Sequence, residues 1–593
     1  MTTHRPARFA LSSLLLTAAA ALAFAGGCAD DADVEDGELD SAAGKADSMA
    51  EGSAEALAVL RLVNDPAVTK AELDDDGGLS ARVAGNIVNA RNGADRVAGT
   101  GDDNPFDTLA ELDAIPYVGP RTLEMLLEYA RSKGLLDDGL KIEAVFSPQP
   151  AASTHTKRIA QLIRDAKHSV DIAMYSYSDA EVGTALAEAV QRGIKVRFLF
   201  ETANEDRKIV DLAARRASKS GRLEQAGVDV RYVNKILHHK LAIIDGPRDV
   251  AERAASATLV TGSANWSFTA AQSFDENTLF IGGAPGLATA YQHEFDLLWA
   301  HSRDFQLAAA LPFELSSASL PAASDPGASA LFTSPNFKVA PTGTTFSFDY
   351  TKTEVADALV AAIEAAQDSI HIASGHFRLR PVAEALVAKK QADPSIDIKV
   401  YLDQQEFISR TGDDQQEARV STCLAGAGND PRTVYDCTRS DYLYGKYLAD
   451  AGIDVRYKVY SYRWDHSYAV QMHHKYVVID GAKLISGSYN LSYNAEHGTF
   501  ENMLVLEGAQ FGGVISAYER NFSTIWDTGR AGDRLAALRT QISTASSIPL
   551  VFDSLAVSWQ EYNDLKTLIR SNCAVVDSTE YRDNPTAHRS CPR

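Results

Sequence analysis

The sequence predicts an α/β protein built as two similar halves behind a small all-α module. Three observations lead there. From Lys141 onward, apolar strand-like segments alternate with helical ones, the pattern of an α/β layer fold. Five of those strand-like segments recur in the same order further along the chain, so the sequence contains an internal duplication. At 593 residues the chain also exceeds one ordinary core, since cores stop growing beyond roughly 250 to 300 residues.

The N-terminus precedes any of this. Residues 1–27 carry Arg5 and Arg8, an apolar run from Phe9 to Ala25, and the small residues Ala25-Gly26-Gly27 before Cys28. This is the layout of an export signal with a small-residue cleavage site. The ending resembles a bacterial lipoprotein signal, although Ala25 stands where that family more often has Leu. The resemblance implies lipidation of Cys28 and an extracytoplasmic place, as a cell-envelope lipoprotein or a secreted protein. Residues 28–52 read as an acidic tether, and no later apolar stretch is long enough to span a bilayer.

Setting Cys28 aside leaves Cys423, Cys437, Cys573 and Cys591, which in an exported chain suggests two disulfides. Of the three connectivities, Cys423 with Cys437 and Cys573 with Cys591 close the shortest loops and are the expected pairs. The net charge of −22 argues against a general attraction to nucleic acid but leaves local basic pockets open.

Residues 53–140 read as the helical module. Leu73-Asp74-Asp75-Asp76-Gly77-Gly78 separates two helical patterns, and the stretch from Phe106 to Ala130 gives two more. The second pair resembles the helix-hairpin-helix family, whose hairpin amides can hold a DNA phosphate. That hairpin normally reads Gly, apolar, Gly; here it reads Tyr117-Val118-Gly119, and a side chain at 117 hinders close backbone approach. Three aspartates at the earlier hairpin repel phosphate. A packing or protein-contact role is therefore expected ahead of DNA binding.

The first half spans 141–315, with strand-like segments at Ser169–Tyr175, Lys195–Phe200, Asp229–Val233, Lys240–Asp245 and Asn277–Ile281. A Ser, Ala and Pro-rich stretch, 316–330, reads as a linker. The second half, 331–530, repeats the order with Ser369–Ala373, Ile398–Leu402, Asp454–Val459, Lys475–Asp480 and Asn502–Leu506, and 531–593 reads as a C-terminal extension. Tyr291, Phe295 and Trp299 match Tyr518, Phe522 and Trp526; spaced by four, each trio shares a helix face and is expected in the core.

The chemistry sits in the repeats. His238-His239-Lys240 with Asp245 matches His473-His474-Lys475 with Asp480. Each is followed by a Gly-Ser-x-Asn loop, Gly262 to Asn265 and Gly487 to Asn490, and eleven residues after each Asn comes a Glu-Asn pair, Glu276-Asn277 and Glu501-Asn502. One copy would be a weak signal; two with matching partners are strong. On a strand, residues two apart share a face, so His238 and Lys240 project together and Leu241, Ile243 and Asp245 project oppositely. This predicts a catalytic face and a buried face, with Asp245 and Asp480 bonded to local backbone. Ser263 with Asn265, and Ser488 with Asn490, can present a hydroxyl and an amide to one anion. His239 and His474, facing away from the lysines, are expected as satisfied core residues. Two imidazoles, two lysines and two amides suit a phosphodiester: Lys240, Lys475, Asn265 and Asn490 hold nonbridging oxygens while His238 and His473 attack and deliver a proton. The array calls for no metal and no cofactor.

These motifs resemble the His-Lys-Asp signature of the phospholipase D superfamily, over about Ile142 to Trp526. The resemblance implies two α-β-α sandwich halves about a pseudo-twofold axis with one active site between them. It also implies a covalent phosphohistidine, with His238 as attacker and His473 as proton donor, and water or an alcohol as second acceptor. Glu276 and Glu501 take the role of orienting a catalytic histidine. In one departure, the stretch from Asp245 to Gly262 is ten residues longer than that from Asp480 to Gly487 and is expected to extend a surface hairpin.

The leading expectation is hydrolysis or transfer of phospholipid headgroups, with the membrane as substrate and anchor. The aromatic run from Tyr457 to Tyr468 supports it by resembling a membrane-boundary belt, though an ordinary aromatic strand and turn fits as well. The alternatives are a nonspecific nuclease acting on nucleic acid and an inactive surface scaffold. No obligate protein partner is evident.

Overall fold

The computed structural model of the chain describes residues 49, 51 and 54–592, apart from 134, 136–139, 306–323 and 439–441. The export signal, Cys28, most of the tether and the linker up to 323 lie outside the described residues. No helix among the described residues is long and apolar enough to cross a membrane.

The helical module contains α1 (Ala54–Asn64), α2 (Lys70–Asp75), α3 (Ala81–Arg91), α4 (Leu109–Asp113) and α5 (Pro120–Ser132). Thr69, Ser80 and Thr108 cap α2, α3 and α4 by accepting from the backbone N–H three residues on. Leu62, Leu73, Ile87, Leu112, Leu123 and Leu126 close its own core. The hairpin before α5 keeps a left-handed backbone at Tyr117, with φ of +72°, and the exposed ring lies 4.4 Å from the Arg82 guanidinium.

The first half folds into an eight-stranded sheet. Its strands are β1 (Lys141–Phe146), β2 (Ser169–Met174), β3 (Lys195–Phe200), β4 (Asp229–Tyr232), β6 (Lys240–Ile244), β7 (Thr258–Gly262), β8 (Asn277–Gly282) and β9 (Arg303–Asp304), with the short β5 (Ile236–Leu237) outside it. The order is β1-β8-β7-β6-β2-β3-β4-β9. Strands β2, β3 and β4 run parallel, and β6 returns antiparallel to β2. The second half repeats this with β10 (Ala328–Phe332), β11 (Ser369–Ser374), β12 (Asp397–Asp403), β13 (Asp454–Ser461), β14 (Lys475–Ile479), β15 (Lys483–Gly487), β17 (Asn502–Glu507) and β18 (Val551–Ser558), in the order β10-β17-β15-β14-β11-β12-β13-β18. The short β16 (Thr499–Phe500) pairs with β5 across the halves.

Helices α6 (His155–Asp165) and α7 (Ala180–Gln191) cover the outer face of the first sheet through Ile159, Ile163, Val182 and Leu186. The inner faces of both sheets share one core. It includes the whole trio Tyr291, Phe295 and Trp299 on α9 (Pro285–Ala300; α8 is Phe268–Gln272) and its match Tyr518, Phe522 and Trp526 on Gly512–Trp526. The aromatic trios are core residues, as their spacing predicts. Each fully buried aromatic of this kind contributes about 1.5–3 kcal/mol over an exposed one. The two halves are one folded body.

Several boundaries differ from expectation. Strand β10 begins inside the predicted linker because Ala328–Phe332 pairs with β17. Residues 531–593 are no appendage: β18 is the edge strand beside β13, and the helix Trp559–Asn572 packs Tyr562, Leu565 and Ile569 into the second core. Both expected disulfides are present, Cys423–Cys437 and Cys573–Cys591. Tyr457, Tyr460 and Tyr462 of the aromatic run are buried, so this segment is strand and core, not a membrane belt. The longer segment after Asp245 is not wholly superficial either. Its Arg248 is buried and, with Arg197, holds Asp171 well below the usual carboxylate range despite the opposing effect of burial.

Candidate active site

Two reciprocal backbone contacts join the halves at the motifs. Strand β5, just before His238, lies parallel to β16, just before Glu501, and the His238 N–H donates to the Phe500 carbonyl at 3.0 Å. In mirror fashion Asp275, just before Glu276, bridges to Met472, and the His473 N–H donates to the Asp275 carbonyl at 2.9 Å. Each glutamate therefore reaches the histidine of the opposite half. Nδ1 of His238 lies 2.8 Å from Glu501 Oε1, and Nδ1 of His473 lies 2.7 Å from Glu276 Oε1. With Nδ1 engaged in this way, Nε2 of each ring is left for chemistry.

The motif geometry departs from a single strand face. Strands β6 and β14 begin at the lysines, and each histidine lies before its strand. Lys240 Nζ donates to the His238 carbonyl and Lys475 Nζ to the His473 carbonyl, each at 2.7 Å. Both faces of β6 are buried, Leu241 and Ile243 toward the shared core and Ala242 and Ile244 toward α6 and α7. The expected division into a catalytic and a buried face is corrected accordingly.

Asp245 accepts from the N–H groups of Lys167, His168 and Ser169. Asp480 accepts from those of Gln367, Asp368 and Ser369. Both aspartates bond backbone, but it is the distant start of β2 or β11 and not the neighbouring turn. Both adopt left-handed backbone, φ +53° and +54°.

Ser263 and Ser488 do not face an anion. Both are fully buried, and their hydroxyls accept from the Asn277 and Asn502 N–H groups at 2.9 and 3.0 Å. Ser488 also donates to Glu501 at 2.7 Å. The serines thus brace the loop that carries the glutamate. A Cβ at Gly262 would come within 2.4 Å of the Asn277 carbonyl oxygen, and one at Gly487 within 2.1 Å of that of Asn502, so only glycine permits this close return. Asn265 and Asn490 are half-buried. The Asn265 carbonyl accepts from His155 Nε2 at 3.0 Å, and Asn490 lines the cavity with both histidines.

His239 is a satisfied core residue, between Glu294 at 3.2 Å and Asn502 at 2.9 Å. His474 departs from its match: it is fully buried, and among the described residues neither ring nitrogen has a hydrogen-bond partner.

Sequence reasoning passed over five residues. Glu201 accepts from the Leu237 N–H at 2.7 Å and Asp403 from the Met472 N–H at 2.9 Å, each steadying the residue before a motif histidine. Both acids directly follow the second strand-like segment of their repeat, Lys195–Phe200 and Ile398–Leu402, which aligning the repeats would reveal. Tyr175 stands edge-on to His238 at 4.6 Å, and Glu406 bonds His376, whose ring lines the same cavity.

The cavity encloses about 250 Å³ between the halves. Burial pushes His238 down to about 4, partly opposed by Glu501, and holds His473 well below its usual value. Burial lowers Lys240 to about 7 and Lys475 to about 8. It raises Glu276 to about 8, whereas Glu501 stays below the carboxylate range because His238, Lys240 and Ser488 outweigh burial. Among the described residues no group of three or more His, Cys, Asp or Glu is arranged to hold a metal ion.

A sequence profile described as "Cardiolipin synthase, PLD-like domain" matches residues 159–299 and 359–526, more than half of the chain and one block in each half. The chain belongs to the phospholipase D superfamily. Among its relatives, mitochondrial cardiolipin hydrolase of Xenopus tropicalis is 29% identical over 194 residues, covering 30% of this chain and 83% of that protein. Phospholipase D of Rickettsia prowazekii is 34% identical over 142 residues, covering 24% of this chain and 59% of the relative. Among solved structures, phosphatidylserine synthase of Haemophilus influenzae Rd KW20 has a TM-score of 0.43 at 13% identity, covering 74% of this chain and 97% of its own. The phospholipase D family member Nuc of Salmonella typhimurium has a TM-score of 0.21 at 16% identity, covering 34% and 93%. The superfamily comprises phosphodiesterases, and this member carries two matched halves in one chain.

Proposed function

We propose that this superfamily member hydrolyses or transfers phospholipid headgroups through a phosphohistidine. The observation that carries the phosphodiesterase reading is the pair of His–Glu contacts made between the halves, which leaves two Nε2 atoms for one cavity, with Lys240 and Lys475 bonded to the carbonyls of the same two histidines. In the first step His238 Nε2 attacks phosphorus, the bond to the headgroup oxygen breaks, and His473 Nε2–H gives that oxygen its proton. In the second, water or an alcohol attacks phosphorus, passes its proton to His473, and the phosphorus–nitrogen bond breaks. Lys240, Lys475, Asn265 and Asn490 hold the nonbridging oxygens as charge shifts onto them.

One observation favours the reverse order of histidines. Glu501 is the more acidic of the two glutamates, and an ionised partner favours a proton on His238, leaving His473 as the attacker. Trapping the intermediate decides: phosphate on residue 238 supports the stated order, and phosphate on 473 reverses it.

Lipid is preferred to nucleic acid on the net charge of −22, since nucleic-acid enzymes attract their polyanion with a positive field. The test compares headgroup release from mixed vesicles with cleavage of single- and double-stranded DNA at one enzyme concentration and physiological salt. Faster cutting of DNA would replace the lipid reading with the nuclease one. Silence toward bis-p-nitrophenyl phosphate from folded protein would revive the scaffold reading. An anchor at Cys28 and an extracytoplasmic location belong to the same proposal, and lipid on that residue in protein recovered from the envelope is the corresponding observation.

A further inference from the structure

The cavity holds a third imidazole that the phosphohistidine mechanism does not use. His376 lines it together with His238 and His473. Its arrangement copies that of the reacting rings: Nδ1 lies 3.0 Å from Oε1 of Glu406, whose side chain is 1% exposed. Glu406 is itself fixed, accepting from the Phe377 N–H at 3.0 Å and from Arg378 Nη2 at 2.7 Å, and His376 and then Arg378 hold it at about 2 against the effect of burial. Ring orientation and tautomer are thereby set. With Nδ1 held by Glu406, Nε2 is the ring atom left to exchange a hydrogen bond with a hydroxyl in the cavity.

His376 stands on the His473 side. Gly375, its neighbour, packs so closely there that a Cβ would meet the Met472 carbonyl oxygen at 2.8 Å and His473 Cα at 3.4 Å.

The duplication shows what is special about it. Met174 pairs with Lys240 and Phe200 in the first sheet, and Ser374 pairs with Lys475 and Leu402 in the second. By that register His376 corresponds to Ser176 and Glu406 to Asn204. The His–Lys–Glu–Asn machinery is present in both halves, but this dyad is present in one. A phosphodiester is itself unsymmetrical, with one ester kept and one lost, so a group found in one half can distinguish the two ends.

We propose that His376, oriented by Glu406, is a specificity-determining residue of a subsite for the leaving and entering alcohol, and that it selects alcohols bearing a second hydroxyl. Ser492 and Asn494 line the same wall and add a hydroxyl and an amide. Quaternary ammonium alcohols fit this wall poorly. They have no second hydroxyl to bond Nε2, and among the described lining residues Tyr175 is the single Tyr, Trp or Phe available to face a cation, its ring already 5.2 Å from Lys240 Nζ. The inference rests on His473 as the ring that serves the alcohol.

The test uses the full chain with bis-p-nitrophenyl phosphate, which loads the nucleophile without any lipid, followed by partition of the phosphoenzyme among water, glycerol and choline. Wild type should transfer to glycerol at least tenfold better than to choline. His376→Leu should lower the glycerol-transfer to hydrolysis ratio at least tenfold, and His376→Gln, which keeps an acceptor, should restore part of it. Because the ratio is read within one preparation, a poorly folded variant does not mimic the effect. Equal transfer to both alcohols in wild type, or an unchanged ratio in His376→Leu, overturns the proposal. Absence of any phosphoenzyme removes the phosphodiesterase reading and this one with it, whereas phosphoenzyme formed on residue 473 overturns this one alone.

Discussion

Nδ1 of His473 lies 2.7 Å from Oε1 of Glu276, 197 residues earlier in the chain and in the other half of the molecule. His238 and Glu501 are joined in the same way across 263 residues. Neither His238 nor His473 finds its carboxylate in its own half, so Glu276→Gln and Glu501→Gln should each reduce turnover on a generic diester by about a hundredfold or more, as losing the carboxylate behind a catalytic imidazole does elsewhere. Thermal midpoints should stay near wild type. An equal loss of stability would reassign the glutamates to folding.

Lys240→Ala and Lys475→Ala should each cost roughly a hundredfold in turnover, the scale of one preorganised oxyanion donor. Burial lowers the two ammonium groups to about 7 and about 8. Only the cation can hold a nonbridging oxygen, so kcat/KM should fall as pH rises through this range. A pH–rate profile flat from 6 to 9 would contradict the assignment.

Asp245→Asn and Asp480→Asn should act through folding. Each carboxylate accepts three backbone N–H groups, and hydrogen bonds to a charged group contribute about 1.5–3 kcal/mol apiece. A loss of about 2 kcal/mol per variant is expected in denaturant unfolding. Hydrogen bonds from Ser369, Asp368 and Gln367 outweigh burial and depress Asp480. Its contribution is therefore full above the unfolded value near 3.9 and fades as pH falls through the lower folded value. Normal stability with abolished activity would reverse this role.

His371 predicts the opposite pH sign. Glu519 and Asp397 flank its ring at 2.8 and 3.3 Å, Phe522 stacks on it, and despite burial and nearby Lys399 its affinity for a proton is raised. A raised folded value gives stability that is full below the unfolded value near 6.5 and lost as pH rises through the folded one. Glu519→Gln should flatten the decline in thermal midpoint above neutrality, and an unchanged slope would exclude the pair as its source.

The disulfides close loops of 14 and 18 residues, and the chain-entropy argument assigns about 3 kcal/mol to each. Cys423→Ser with Cys437→Ser should lower the thermal midpoint and leave turnover of the remaining folded enzyme near wild type, since neither cysteine lines the cavity. Non-reducing mass spectrometry should find both links in exported protein.

The duplication, the motif histidines and lysines, the core aromatic trios and both disulfide pairs were legible in the chain, because each is a matter of local spacing or repetition. Other features depended on how two surfaces pack. Tyr457 to Tyr462 has the composition of a membrane belt, and only the covering strand β18 and the helix after it make it core. Ser263 and Ser488 look like anion ligands until the return of the chain at Asn277 and Asn502 occupies their hydroxyls. Glu201, Asp403 and the His376–Glu406 dyad carry no motif. Periodicity records which neighbours alternate along one segment, whereas the partner of a buried charge is set by whatever surface arrives opposite it. That is why the motif residues could be named from the chain, while the glutamate that meets each motif histidine was decided by the docking of one half against the other.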